Sequence, residues 1–362
     1  MNLQESDYEI APCLAAGPIA ERAGSVVEEA RALGKGRWAE TLRSWCVPWL
    51  FASMERVFAS GAEPVAALNE SLETLARFLR AAADNGLGEM VDSPEQQTVD
   101  NRDLKEITGE HYGRLFKEFS SLSYWDEPVR LLKTRLERNS IEISALDQKE
   151  VLDAGCGGGR YTAAWRILGA KRAVGVDASQ IGIQDSRKRA RAADLSNVAF
   201  ERANALDLPF ADSSFDIVFS NGVLHHSEDW QRGVSELIRV LKPGGLGWLY
   251  LIENPGGLFW DVIELLRVVM KDERRAQARS ALQVIGIPAN RVFYMLDHVM
   301  VPINVRLSPS EVEACLVGSG ATGIRRLERG TDFDRIEKIH QQEPFAPIKY
   351  GVGENRYVFS RD

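Results

Sequence analysis

Between residues 38 and 83 apolar side chains recur every three or four positions. Trp38, Leu42, Trp45 and Trp49 form one stripe, and Val65, Leu68, Leu72, Leu75 and Leu79 form another. That is the period of amphipathic helices, so an all-helical N-terminal unit is predicted over residues 1–100. Pro48 is expected to kink or divide the first of these helices, and residues 61–64 break the pattern before a second helix whose first turn accommodates Pro64. The polar stretch 85–101 reads as a linker. Tyr112, Leu115, Phe116 and Phe119, then Val129, Leu132 and Leu136, predict two more helices within 101–147.

At Lys149 the texture changes to short apolar runs alternating with helical periods, as in a parallel sheet wrapped by helices. Strands are predicted over 150–154, 173–176, 198–201, 215–220 and 247–252, with helices from the glycine turn to 168, over 180–192 and over 230–241. The stop at Lys242-Pro243-Gly244-Gly245 ends the last of these. Residues 254–307 return to a helical, apolar pattern, with Phe259, Trp260, Ile263, Leu265 and Leu266 near its start, and read as an inserted cap. A helix over 309–317 begun by Ser308, a strand near 323–327 and a last strand over 356–359 complete a domain spanning 148–362. No internal repeat is visible.

Composition narrows the class. The chain has 362 residues, 44% hydrophobic and 27% charged, which excludes collagenous and disordered chains, and it lacks an apolar run of about 18 residues as a spanning helix needs. Its first residues are acidic and lack a signal peptide's basic and apolar blocks, so a cytoplasmic protein without membrane association is expected. Four scattered cysteines give neither a disulfide framework nor a metal-ligand spacing, and no metal is expected. The net charge of −8 originates in residues 1–100, with 8 basic against 16 acidic residues; the remainder balances at 36 against 36. Such a surface repels phosphate backbones, so no nucleic-acid partner is expected, and the basic run Arg187-Lys188-Arg189-Ala190-Arg191 reads as a solvated helix face.

The chemistry concentrates in Val151-Leu152-Asp153-Ala154-Gly155-Cys156-Gly157-Gly158-Gly159-Arg160-Tyr161, a strand entering a glycine turn before a helix. The dinucleotide fingerprint G-x-G-x-x-G fails, because Arg160 stands at its third glycine. The D-x-G-x-G-x-G pattern that is present resembles the cofactor loop of class I S-adenosylmethionine-dependent methyltransferases. Three further segments fall in that family's order: Val174-Gly175-Val176-Asp177-Ala178-Ser179, Ala203-Asn204-Ala205-Leu206-Asp207-Leu208-Pro209-Phe210, and Phe215 to His226 followed by the Lys-Pro-Gly-Gly turn. Asn204 stands where the family usually has aspartate; its amide oxygen still accepts, without charge assistance.

The resemblance implies a Rossmann-like α/β sheet with helices on both faces and S-adenosylmethionine as cofactor. It places Asp153, Ala154, Gly155, Cys156, Gly157 and Gly159 in the cofactor turn, Asp177 and Ala178 at the ribose, Asn204 and Ala205 at adenine, Asn221 at the methionine end, and Tyr112 in a lid helix. Asp177 also suits a helix N-cap, and Cys156 a space-filling role. His225 and His226 are candidate general bases for a hydroxyl acceptor. Glu253 and Asn254, beyond the fifth strand, and Tyr294 and His298, in the inserted segment, are substrate candidates. The expected reaction is methyl transfer to an oxygen or nitrogen of a small metabolite in specialised biosynthesis, with the cap and N-terminal helices closing over the acceptor. The alternatives are a protein or peptide acceptor docked by the acidic N-terminal helices, which also suit a homodimer contact, and a non-catalytic cofactor-binding partner protein.

Overall fold

The computed structural model describes residues 11, 14, 16–88, 121–142 and 146–362. Helices α1 (Ala20–Ala32), α2 (Arg37–Ala59) and α3 (Pro64–Asp84) come first, then α4 (Ser121–Arg138). Strands and helices then alternate: β1 (Glu150–Ala154), α5 (Arg160–Ile167), β2 (Arg172–Asp177), α6 (Gln180–Ala192), β3 (Val198–Arg202), β4 (Phe215–Asn221), α7 (Trp230–Val240) and β5 (Leu241–Leu251). Helices α8 (Gly257–Val269), α9 (Arg275–Val284), α10 (Ala289–Val299) and α11 (Pro309–Gly318) precede β6 (Ala321–Arg326), α12 (Arg335–His340), α13 (Ala346–Tyr350) and β7 (Asn355–Arg361). No helix among the described residues is long and apolar enough to cross a membrane.

The chain divides into two compact units. One comprises Asn101–Pro255, Pro302–Gln341 and Val352–Asp362; the other comprises Met1–Asp100, Gly256–Val301 and Gln342–Gly351. The first is built on a seven-stranded sheet in the order β3-β2-β1-β4-β5-β7-β6, parallel from β3 to β5 and antiparallel at β7. It is a Rossmann-like fold. Its strands alternate between two cores with the period of a pleated strand. Leu152, Val218, Leu249 and Tyr357 pack with Val234 and Leu237 of α7 and Leu316 of α11. Their neighbours Val151, Ile217, Phe219, Trp248 and Val358 pack with Leu132 and Leu136 of α4 and Trp165 of α5. Burial on both faces makes these strands read as continuous apolar runs.

The strand after α7 begins at Leu241, six residues earlier than expected. Leu241 pairs with Phe215 and Leu246 with Ile217, so Lys242 to Gly245 loop out between two paired positions instead of preceding the strand. At α11 the expected start is present as a capping box, in which Ser308 and Glu311 satisfy each other's backbone N–H groups.

The second unit is helical. Pro48 does not divide α2: it lies buried inside a single 23-residue helix that packs on α3 and α9. Helix α8 is buried on all sides, from Leu258 to Val269, and packs on α1, α2, α10 and α13. Its buried Arg267 donates to the Val301 carbonyl at 2.9 Å and lies 3.7 Å from Glu264. Helix α1 and the short α12 and α13 have no counterpart in the sequence reading. The expected helix bearing Tyr112 falls outside the described residues.

Candidate functional site

The strand order reverses between β1 and β4, so the loops leaving their carboxyl ends diverge and open a crevice where ligands bind in open α/β sheets. The glycine loop forms one wall. Gly155 and Gly159 hold φ of +85° and +75°, which side chains on a left-handed backbone resist. A Cβ on Gly155 would stand 2.3 Å from Val223 Cγ1. Beneath the loop, the Gly155 and Cys156 N–H groups donate to the Val176 carbonyl at 2.8 and 2.9 Å.

Two carboxyls frame this loop. Asp177, half-buried at the end of β2, accepts from Gly157 N on Oδ2 and from Ser179 N on Oδ1, each at 2.8 Å. It thus pins the loop to α6, and burial raises its carboxyl above the ordinary value. Each oxygen keeps a second lone pair for a ligand hydroxyl. Asp153 is fully within the protein; Thr162 Oγ1 donates to it at 2.6 Å, and burial, with Asp177 nearby, pushes it up to about 7. Burial also drives the Cys156 thiol well up, so it stays a neutral, space-filling group.

The remaining predicted residues follow along the same edge. Ala178 is exposed and Ala205 half-buried beside Asn204, whose Oδ1 accepts from Leu206 N at 3.0 Å. Asn221 closes β4 and accepts from Trp248 Nε1 at 3.2 Å. The adjacent histidines have different surroundings. His225 is 2% exposed, and its Nδ1 accepts from Ile252 N at 3.3 Å, which ties the turn after β4 to the end of β5. His226 is half-buried, and its Nδ1 lies 2.8 Å from the Ile303 carbonyl. A carbonyl only accepts, so Nδ1 carries the proton and, in the neutral ring, Nε2 carries the lone pair.

Glu253 is fully buried and paired with Arg335 Nε at 2.7 Å, whereas Asn254 is exposed and accepts from Arg306 at 3.0 Å. Within the helical unit, Tyr294 and His298 belong to an aromatic cluster with Phe51, Phe259 and Trp260; the His298 and Tyr294 rings lie 4.6 Å apart. Tyr124 escaped the sequence reading. Its hydroxyl donates to the Gly158 carbonyl and Arg189 lies 4.1 Å over its ring, so α4 covers the glycine loop. Nothing in the spacing of α4 marks that residue, since a helical aromatic reads equally as core.

An edge with a glycine-rich turn, a carboxylate with spare acceptor capacity and two amides suits a polar ligand with vicinal hydroxyls and a heterocycle. The fold and this edge define an α/β ligand-binding domain of the open-sheet kind. Residues 152–249 match the family described as "Methyltransferase domain". The 27-O-demethylrifamycin SV methyltransferase of Amycolatopsis mediterranei (strain S699) is 31% identical over 173 residues, 44% of this chain and 64% of that protein. The phthiotriol/phenolphthiotriol dimycocerosates methyltransferase of Mycobacterium tuberculosis (strain ATCC 25177 / H37Ra) is 36% identical over 121 residues, 33% of this chain and 43% of the relative. An O-methyltransferase of Aspergillus sclerotiorum is 29% identical over 133 residues, 35% of this chain and 50% of the relative. The chain thus spans between 43% and 64% of the length of these relatives. Over residues 152–249 the sheet unit is similar to methyltransferase domains, and its strand order is that of a Rossmann-like sheet.

Proposed function

We propose that this chain transfers a methyl group from S-adenosylmethionine to a hydroxyl oxygen of a small-molecule metabolite in specialised biosynthesis. The relatives named above support the reaction class: one is named for an O-demethylated rifamycin and another as an O-methyltransferase. The observation that carries the choice of oxygen is the tautomer of His226, fixed by the Ile303 carbonyl.

The bound cofactor supplies a methyl group already activated on a sulfonium. The protein's task is therefore to orient, to exclude water and to move one proton. Asp177 accepts from the ribose hydroxyls while its backbone bonds keep the glycine turn in place. Asn204 and Ala205 meet adenine, and Asn221, held by Trp248, faces the methionine end. Ala154, Cys156 and Ala178 line the turn. A neutral hydroxyl is a poor nucleophile, and His226 Nε2 takes its proton as the oxygen attacks. His225 holds the loop that presents His226.

Labelled methyl from S-adenosylmethionine, incubated with the enzyme and an extract of the source cells, is expected in the small-molecule fraction, and Asp177→Ala is expected to remove it. Label in the protein fraction would replace this reading with that of an acceptor docked by the N-terminal helices. With the labelled compound in hand, His226→Ala is expected to lower kcat by about 10²- to 10⁴-fold and to abolish the acid limb of its pH profile. An unchanged profile would remove His226 from proton transfer.

A further inference from the structure

Within the sheet unit, residues 303–307 run beside the loops that leave the carboxyl ends of β4 and β5. The Ile303 carbonyl lies 2.8 Å from His226 Nδ1, Val305 N donates to the His225 carbonyl at 2.9 Å, and Leu307 N donates to the Ile252 carbonyl at 2.9 Å. Backbone partners at every second residue mark an extended segment, whose side chains alternate between two sides. Val305 and Leu307 take one side and pack into the core that α7 and α11 cover. Asn304 therefore stands on the other, between the two residues that hold the histidine turn.

The Asn304 amide has no internal use. Its Oδ1 and Nδ2 are both buried, and neither has a hydrogen-bond partner among the described residues. Folding forfeits the water bonds of such a group without replacing them, so buried amides normally have partners. Polar groups beside it do: Arg306 donates to Asn254 Oδ1 at 3.0 Å, and Asn355 Nδ2 donates to the Leu307 carbonyl at 2.6 Å. The unmet amide is thus the residue next to the carbonyl that fixes the His226 tautomer, at the carboxyl edge of the sheet.

What meets this amide follows from its chemistry. Oδ1 needs a donor and Nδ2 needs an acceptor beside it. Two hydroxyls held on the same side of adjacent carbons supply both, one donating to Oδ1 while the oxygen of the other accepts from Nδ2. Resting on the methyl-transfer reading above, we propose that Asn304 selects the acceptor, and that the acceptor is a cis-vicinal or aromatic ortho diol methylated on one of its two oxygens. His226 Nε2 takes the proton of the attacking hydroxyl as its oxygen bonds to the methyl carbon, and the electron pair of the broken sulfur–carbon bond stays on sulfur. Asn304 moves no proton; it sets which oxygen faces the base.

The test separates the small-molecule extract on immobilised phenylboronate, which retains diols of this kind. Retained and unretained fractions are each incubated with the full chain and labelled S-adenosylmethionine, and small-molecule label is expected from the retained fraction alone. With that fraction limiting, Asn304→Leu, which keeps the bulk and removes both polar atoms, is expected to lower the initial rate by about 10- to 100-fold, and so is Asn304→Ala. S-adenosylhomocysteine affinity is expected to stay unchanged in both. Because Asn304→Leu also removes a buried amide that has no partner in the free chain, it is expected to melt about 2–4 °C higher. Label arising from the unretained fraction, unchanged rates in both variants, or a lower melting temperature for Asn304→Leu would overturn this inference and leave methyl transfer standing. No small-molecule label from either fraction would overturn the methyl-transfer reading and this inference with it.

Discussion

Asp153 is an acid held where ionisation is opposed. Its carboxyl is 3% exposed, supported by one hydroxyl, and pushed by burial from an ordinary 3.8 up to about 7. Because the folded value lies above the unfolded one, the protonated form is favoured by folding. That contribution is complete below about pH 4 and is lost as the pH rises through 7. Asp153→Asn removes the titration, so its stability relative to the native chain is expected to rise by about 1.4 kcal/mol per pH unit between pH 4 and 7 and then level off. Urea midpoints at pH 5 and pH 8 measure it, and an equal gap at the two would refute it. Gly155 poses a steric problem instead. Gly155→Ala brings its Cβ against Val223 and imposes a left-handed alanine costing roughly 1–2 kcal/mol. Adding Val223→Ala is expected to recover the part due to the clash and leave the backbone part. Full recovery in thermal melts would mean that the backbone conformation costs nothing. The sequence displayed these residue types in order, but Asp177's bonds to Gly157 and Ser179 join residues 20 apart and 2 apart, and only the folded turn makes them one device.

The elements most legible in the sequence are those whose local pattern and burial agree. Strand β1 spans the predicted residues because Val151, Leu152 and Ala154 are buried between two helical layers, and α11 begins where Ser308 and Glu311 close its capping box. Legibility fails where tertiary contact outweighs local preference. Pro48 looks like a break, yet packing on α3 and α9 maintains α2 through it. The glycines of 242–245 look like a stop, yet strand pairing resumes on either side of them. Helix α12 was missed because it is only six residues long; its placement rests on ion pairs instead. Its Arg335 lies 2.7 Å from Glu253, which follows β5, and 3.6 Å from Glu354, while Glu354 accepts from the Arg335 and Ile336 N–H groups. Arg335→Met withdraws the cation from between two buried carboxylates and is expected to cost about 3–5 kcal/mol. Combining it with Glu253→Gln is expected to restore part of the loss. If the double variant is no more stable than the single in denaturant melts, Arg335 supports α12 through its aliphatic stem rather than through its charge.

At the scale of the molecule, charge separates the acceptor classes. The net charge is −8, with the excess in the first hundred residues. The strongest local basic run lies on α6, and two of its members are engaged within the fold: Arg187 donates to the Phe200 carbonyl at 2.9 Å, and Arg189 pairs with Asp185 at 2.8 Å while covering Tyr124. A nucleic-acid acceptor would need several cations available to replace condensed counterions, and its affinity would fall steeply with salt. An uncharged metabolite is recognised by shape, apolar contact and short-range hydrogen bonds, which salt screens little. For the acceptor identified by methyl labelling, kcat/KM is therefore expected to change by less than about threefold between 20 and 200 mM salt. A decline of a hundredfold or more over that range would signal several phosphate contacts. It would require the basic face of α6 to bind the acceptor despite the chain's negative charge, and charge reversal at Lys188 and Arg191 would then flatten the salt dependence.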